Sequence, residues 1–399
     1  MLAALLVTCL GQAGTPPSQT PTPAQTEQTQ LSPKELKAQK QLQEDTEYDE
    51  KVGKASAEDA EKHYKLSTNQ AYQERVQRVG AEIAKIANSY HATALWGDKR
   101  FFKFDYTYKV LQSDDVNAFS LPGGHIYVFE GLMKQIESDD ELAGVLSHET
   151  AHAAFRHIAT LMHESQKLSN ITIPAILAAI LLGRAGGQAS DLVVPGAQLF
   201  QQAQESGWSV KAEEAADYGG LQYMMKSPYD PTGMLTFMER LAIEEKMGPF
   251  IMWGIFRDHP PGKERAESLM HYMHDSGVAL HRSKVTTSFR VTLHPADNST
   301  VEIDFGKKKL VSLGGTDALT RGDKVVTTLN GFFDASPEMY ELQSGGDGTI
   351  NWRGSQLLKV TREDAVANNS SVDALRDTAL DNIRTALFGL GFHIWASHD

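Results

Sequence analysis

His148-Glu149-Thr150-Ala151-His152 constrains this chain more than any other stretch. On a helix, two His four residues apart stand on one face, about one turn from each other. Both imidazoles can then reach one Zn²⁺ ion. Glu149, beside the first His, is placed to take a proton from the attacking water. The surrounding sequence reads as a helix. Ser138 opens it and Glu141 follows three residues on, the spacing of a capping box. The pattern runs through both His to about Met162, and small Ala151 and Ala153 leave room around them. With 14 His in 399 residues, a chance HExxH is expected in roughly a few per cent of such chains, so the helical context carries the argument.

A catalytic zinc site needs a third protein ligand and an open fourth position. Glu213-Glu214-Ala215-Ala216-Asp217 offers the ligand. Glu213 and Asp217 are i and i+4 on a predicted helix, so one can bind metal while the other supports the site from behind. A purely structural zinc would close its fourth position and leave Glu149 without a task. The single Cys excludes a Cys-rich zinc site, a disulfide framework and a dithiol redox centre. A net charge of -13 with no basic cluster excludes a nucleic-acid partner. No apolar stretch reaches the roughly 18–20 residues of a membrane span, which excludes a multi-pass membrane protein.

Leu2–Leu10 is a short apolar run, and Gly11–Gln30 is rich in Pro, Thr, Gln and Ser. This reads as a secretory segment followed by a flexible linker. Gly11-Gln12-Ala13 suits a signal-peptidase site. Leu6-Val7-Thr8-Cys9 suits a lipobox, which would attach the chain to a membrane through a lipidated Cys9. Both readings place the protein in the periplasm or outside the cell.

The stretch from Ser32 to about Leu66 is helical and strongly charged, and reads as a solvated arm. Tyr72, Val76, Val79, Ile83 and Ile86 predict an amphipathic helix over 70–90. Strict alternation from Phe102 to Val110 predicts a half-buried strand. Asn117–Glu130 reads as an extended segment, a Pro-Gly-Gly turn and a second strand. The apolar Ile171–Leu182 and the Gly-rich 183–187 suggest a lid. Further helices are expected at 191–206, 210–227, 232–246 and 261–274. Past Ser283 the pattern turns β-like at Thr287–Leu293, Val301–Phe305, Lys324–Leu329 and Leu357–Thr361, and a helix closes the chain over Ser371–Gly389. The expected organisation is therefore a leader and linker over 1–31, a mostly helical catalytic domain with a small sheet over 32–283, and a C-terminal α+β module over 284–399. The fold class is α+β.

These motifs occur in an order that resembles the gluzincin metalloendopeptidases related to the CAAX prenyl endopeptidase (metallopeptidase family forty-eight), in particular their soluble bacterial periplasmic branch. The resemblance covers about 70–275. It rests on Asn117-Ala118-Phe119-Ser120-Leu121-Pro122-Gly123-Gly124, Gly131-Leu132-Met133, the HExxH with His157 five residues on, and Glu213-x-x-Ala216-Asp217. Asp230-Pro231-x-Gly233-Met234 and His259-Pro260-Pro261 with Arg265 complete it. The chain departs from the family where Ser-Arg usually precedes the third ligand, since Ser209 is followed here by Val210.

The resemblance implies a zinc endopeptidase with one zinc per chain held by His148, His152 and Glu213, and Glu149 as general base. Asp217 would orient a ligand His. His259 is expected near the metal, as an oxyanion donor or a resting fourth ligand. Arg265 would pair with a carboxylate such as Asp217 or with substrate. Asn117, Ala118 and Phe119 would form an edge strand to which an extended, unfolded or envelope protein substrate adds. His157, nine residues after His148, should turn away from the ligand pair on a continuous helix and be structural. The competing reading is a latent zincin that serves as a peptide-binding or chaperone-like scaffold. Oligomeric state and natural substrate are not legible.

Overall fold

A computed structural model of the chain describes residues 31–166, 208–247, 262–297 and 299–390. The expected secretory segment with Cys9, the run 171–187 expected as a lid, the helix expected at 191–206 and His259 lie outside the described residues. Contacts divide the chain after Gln41, and the described residues from Leu42 onward form one unit.

Helix α1, Pro33–His63, is polar along its length, yet its C-terminal half buries Asp49, Gly53, Ser56, Ala57 and Ala60. The expectation of a solvated arm fails here for a physical reason. The buried stripe is built from small residues, which carry little hydrophobic signal but allow close approach. A Cβ on Gly53 would stand 1.8 Å from the Pro122 carbonyl oxygen. Helix α2, Gln70–Ala87, is the amphipathic helix that the sequence predicts. Asn69 caps it by accepting from the Tyr72 amide at 3.2 Å. Val76, Val79 and Ile83 are fully buried against Leu142 and Leu146. Each such side chain contributes about 1.5–3 kcal/mol.

The first sheet holds β1 (Thr107–Leu111), β2 (Ala118–Leu121) and β3 (His125–Phe129) in the order β1-β3-β2. β1 runs parallel to β3, and β2 is antiparallel to it, which leaves β2 at the edge. The ladder starts at Thr107 rather than Phe102, although Phe102 and Phe104 are buried as the alternation predicts. Gly123 and Gly124 reverse the chain between β2 and β3 at φ of 74° and 85°, a region that favours glycine.

Helices α3 (Glu130–Gln135), α4 (Asp139–Ala154), α5 (His157–Gln166), α6 (Trp208–Met224), α7 (Thr232–Met247) and α8 (Gly262–Asp275) follow. Helix α4 carries HExxH and sits at the centre, packed against α2, α6 and α7. Ser138 Oγ accepts from the Glu141 amide at 3.1 Å, as a cap should. The Glu141 carboxylate reaches one residue further back, to the Glu137 amide at 2.9 Å. The helix stops at Ala154 instead of running to Met162, because Arg156 takes a left-handed φ of 52°.

The C-terminal region begins with α9, Arg282–Val285. An antiparallel meander of β4 (Val291–Pro295), β5 (Thr300–Phe305) and β6 (Lys308–Gly314) comes next, then α10 (Ala318–Asp334). A second meander, β7 (Leu342–Ser344), β8 (Thr349–Trp352) and β9 (Ser355–Lys359), precedes α11 (Arg362–Ala367) and α12 (Val372–Leu390). Its own core includes Ile303, Leu313, Leu329, Phe332, Phe333, Ile350 and Ile383. Lys324–Leu329, expected as a strand, lies inside α10. The β-branched run Val325–Thr328 favours a strand locally, but helical spacing buries Val325, Leu329 and Phe332 together, and burial outweighs local preference. Strands β6, β7 and β8 are not among those expected from the sequence pattern. The α+β class holds.

This region is tied to the start of α4. The Glu137 carboxylate accepts from the Thr286 hydroxyl, from the Thr287 amide and hydroxyl at 2.6 and 2.7 Å, and from the Ser288 amide at 2.9 Å. Burial opposes its charge, but the hydrogen bonds of Ser288, Thr286 and Thr287 outweigh that and hold its pKa down at about 2. A depressed carboxylate pKa stabilises the fold above the unfolded value near 4.3 and loses that contribution as pH falls toward 2. Discounted for partial exposure, the contribution is about 1–2 kcal/mol. Glu137→Gln is therefore expected to destabilise the protein by that amount at pH 7, with the gap closing between pH 4 and 2. Urea unfolding of both proteins across that range checks it. A gap unchanged with pH would sink the assignment.

Candidate metal centre

Helix α4 presents His148 and His152 on one face, and α6 crosses it closely enough to bring Glu213 between them. The close crossing depends on glycine. A Cβ on Gly219 would lie 2.4 Å from the Phe155 ring, and one on Gly220 3.0 Å from the His148 amide nitrogen. The Gly219-Gly220 pair, two residues past Asp217, was the unread signal for this approach.

His148 Nε2 and His152 Nε2 are 3.0 Å apart. Glu213 Oε2 lies 3.2 Å from the first and Oε1 3.0 Å from the second. One ligand atom from each of the three residues fits within a 4.8 Å group. The His148 and Glu213 side chains are 3% exposed and that of His152 is 16%, so the cluster opens to solvent on the His152 side. Glu214 points elsewhere, accepting from the Tyr272 hydroxyl at 2.8 Å.

The remaining site residues divide by what they touch. Asp217 Oδ1 accepts from His148 Nδ1 at 2.9 Å, which leaves Nε2 as the bare nitrogen. Arg265 grips Asp217 with two bonds, Nε to Oδ2 at 2.9 Å and Nη2 to Oδ1 at 2.7 Å, and stands 3.3 Å from Glu213 Oε2. Burial raises the Asp217 carboxyl, but the Arg265 guanidinium more than offsets this and holds it below the usual range. Glu149 is buried, and its Oε1 has no hydrogen-bond partner among the described residues. Asn117, Ala118 and Phe119 are buried as whole residues, main chain included, so β2 is not an open edge in this structure.

His157 departs from expectation. With the helix broken at Arg156, its ring swings back, and its Nδ1 lies 2.9 Å from His152 Nδ1. The nine-residue spacing argued for the opposite face only on a continuous helix. Tyr108 was also missed as a support. Its hydroxyl meets Thr150 Oγ1 at 3.0 Å beneath the motif.

The donor set fits a divalent cation. Two imidazole nitrogens and a carboxylate converge, with an orphaned carboxylate oxygen on the neighbouring Glu149. The charges around them favour a cation as well. Burial should depress His148, yet Glu213 and Asp217 hold its pKa up at about 9, which marks Nε2 as a position that favours positive charge, a proton or a metal cation in its place.

Comparison with known proteins agrees. The pattern of Peptidase family M48 matches residues 70–273. Over 212 residues the chain is 27% identical to the "Beta-barrel assembly-enhancing protease" of Yersinia pestis, covering 53% of this chain and 40% of that protein. Over 229 residues it is 31% identical to the "Mitochondrial metalloendopeptidase OMA1" of Schizosaccharomyces pombe, covering 55% and 64%. Over 139 residues it is 30% identical to the "Beta-barrel assembly-enhancing protease" of Escherichia coli (strain K12), covering 35% and 28%. The chain thus spans less than two thirds of each of these relatives.

Proposed function

We propose, from the premise that this chain belongs to peptidase family M48, that it is a zinc-dependent endopeptidase whose zinc is held by His148, His152 and Glu213. The convergence of their ligand atoms within 4.8 Å, with the buried Glu149 next to His148 in the chain, carries this reading. When bound, zinc supplies Lewis acidity, which polarises the scissile carbonyl and makes water nucleophilic at neutral pH.

The chain's own groups do the rest. Glu149 takes the proton of the attacking water on its carboxylate and returns it to the leaving amine. Asp217 holds His148 in the tautomer that bares Nε2, and Arg265 balances the two carboxylates. Pairing of an extended substrate backbone with β2 requires its buried edge to open, and it would let cleavage tolerate varied side chains. Such a substrate must be locally unfolded, which supports proteins in quality control as targets.

We place this activity in the periplasm or outside the cell, on envelope or misfolded proteins, with Cys9 a candidate lipid anchor. The apolar Leu2–Leu10 and the relatives named for β-barrel assembly support that location. The residues 284–399 carry no assigned chemistry, and no helix among the described residues is long and apolar enough to cross a membrane.

The test is cleavage of casein by the zinc-loaded protein. A zinc chelator is expected to stop it, and added Zn²⁺ to restore it. Cleavage that survives complete removal of the metal would refute the mechanism. No cleavage by a fully zinc-loaded protein would favour the latent scaffold.

A further inference from the structure

We propose that His157 is a positioning residue that fixes the tautomer of His152 and thereby aims its Nε2 lone pair into the metal centre. This rests on the zinc reading, and it follows from a chain of donors and acceptors that closes in only one way.

His157 Nε2 lies 3.2 Å from the Trp96 carbonyl oxygen. A carbonyl only accepts, so Nε2 carries the proton. In a neutral imidazole the other nitrogen, Nδ1, is then bare and can only accept. That Nδ1 faces His152 Nδ1 at 2.9 Å. His152 must donate across this contact, so its own proton sits on Nδ1 and its Nε2 is bare. This Nε2 is the atom 3.0 Å from Glu213 Oε1 and 3.0 Å from His148 Nε2. The two rings meet edge to face, at 87° with centroids 4.8 Å apart. His157 is 2% exposed, so water cannot take its place.

The surroundings hold His157 in this pose. Gly97 has a φ of 97°, and a Cβ there would fall 2.5 Å from the Phe155 carbonyl oxygen and 2.7 Å from His157 Cδ2. Only glycine lets the Trp96–Asp98 loop come this close. The Asp98 amide donates to the Phe155 carbonyl at 2.8 Å. Arg156, at the left-handed corner that turns His157 inward, bonds Asp98 Oδ2 at 3.0 Å and Asp49 Oδ1 at 2.9 Å. The two ligand imidazoles are thus backed differently, His148 by the Asp217 carboxylate and His152 by a neutral imidazole. Both are oriented, and only one backing group brings charge. The centre gains a second fixed ligand without another buried anion to balance.

The test compares His157→Leu with His157→Gln. A Gln amide can accept through its oxygen and donate through its nitrogen, so it can bridge His152 and Trp96 as the imidazole does. Leu keeps bulk and loses both bonds. Zinc affinity is measured by competition with a chelator of known affinity, alongside thermal unfolding of the metal-free proteins. His157→Leu is expected to weaken zinc binding by about 10–100-fold, and His157→Gln to recover most of that loss. Unchanged affinity in a folded His157→Leu would overturn the proposal. So would equal losses in Leu and Gln, since these would trace the effect to packing. A second readout does not depend on metal. ¹⁵N spectra of histidine-labelled protein should show His157 as the Nε2–H tautomer, and an Nδ1–H tautomer would overturn the proposal. Wild-type protein with that tautomer but no zinc affinity would instead refute the metal reading.

Discussion

Glu149→Gln is expected to leave zinc bound and the fold intact while lowering cleavage of an unfolded substrate by about 10²–10⁴-fold. The substitution is isosteric, and Glu149 is buried on the central helix α4, so no cavity opens. What changes is proton chemistry. A carboxylate accepts a proton from water and an amide does not. Because Glu149 Oε1 has no hydrogen-bond partner among the described residues, the loss of basicity there breaks no structural bond. Casein cleavage and zinc content, measured side by side, decide the matter. Equal rates in the two zinc-loaded proteins would mean that another group takes the proton. A loss of zinc along with activity would make Glu149 a structural part of the site.

The readable part of this molecule was the part whose chemistry is local. HExxH, the Ser138 cap and the i,i+4 pair Glu213 and Asp217 each name a residue type at a fixed spacing on one helix. The structure brings His148, His152, Glu213 and Asp217 together, with Glu214 turned away. What escaped reading depends on where a helix ends and on what small residues permit. Arg156 at φ 52° breaks α4, and that single corner turns His157 from a bystander into a neighbour of His152. No propensity argument puts a break at an Arg. Gly53 and Gly219 look weak in a hydrophobicity pattern, yet they set how closely α1 meets the Pro122 turn and α6 meets α4. In the C-terminal region the β-branched Val325–Thr328 run misled because its burial partners, Val291 to Leu313 and Phe332, are distant in sequence or one helical turn away.

Arg265→Leu should produce the largest change in stability. The guanidinium is buried and makes two hydrogen bonds to Asp217, itself buried. Removing it leaves His148 alone to offset the two buried carboxylates Asp217 and Glu213. Breaking a buried pair in this way costs about 3–5 kcal/mol. Arg265→Lys would not rescue it fully, because a single ammonium cannot match a two-point grip. The informative comparison is Arg265→Leu combined with Asp217→Asn. Taking the anion away with the cation should return much of the lost stability, since an uncompensated buried charge is what costs most. Zinc affinity should not return with it. Asp217 fixes His148 through the 2.9 Å bond to Nδ1, and a neutral amide holds that imidazole less firmly and leaves the ligand less basic. Urea unfolding of the metal-free proteins and zinc competition therefore separate the two tasks of this pair. If the double variant regained stability and affinity together, Asp217 would be only a counter-ion for Arg265. If neither returned, the pair would be holding α8 against α6 through shape rather than charge.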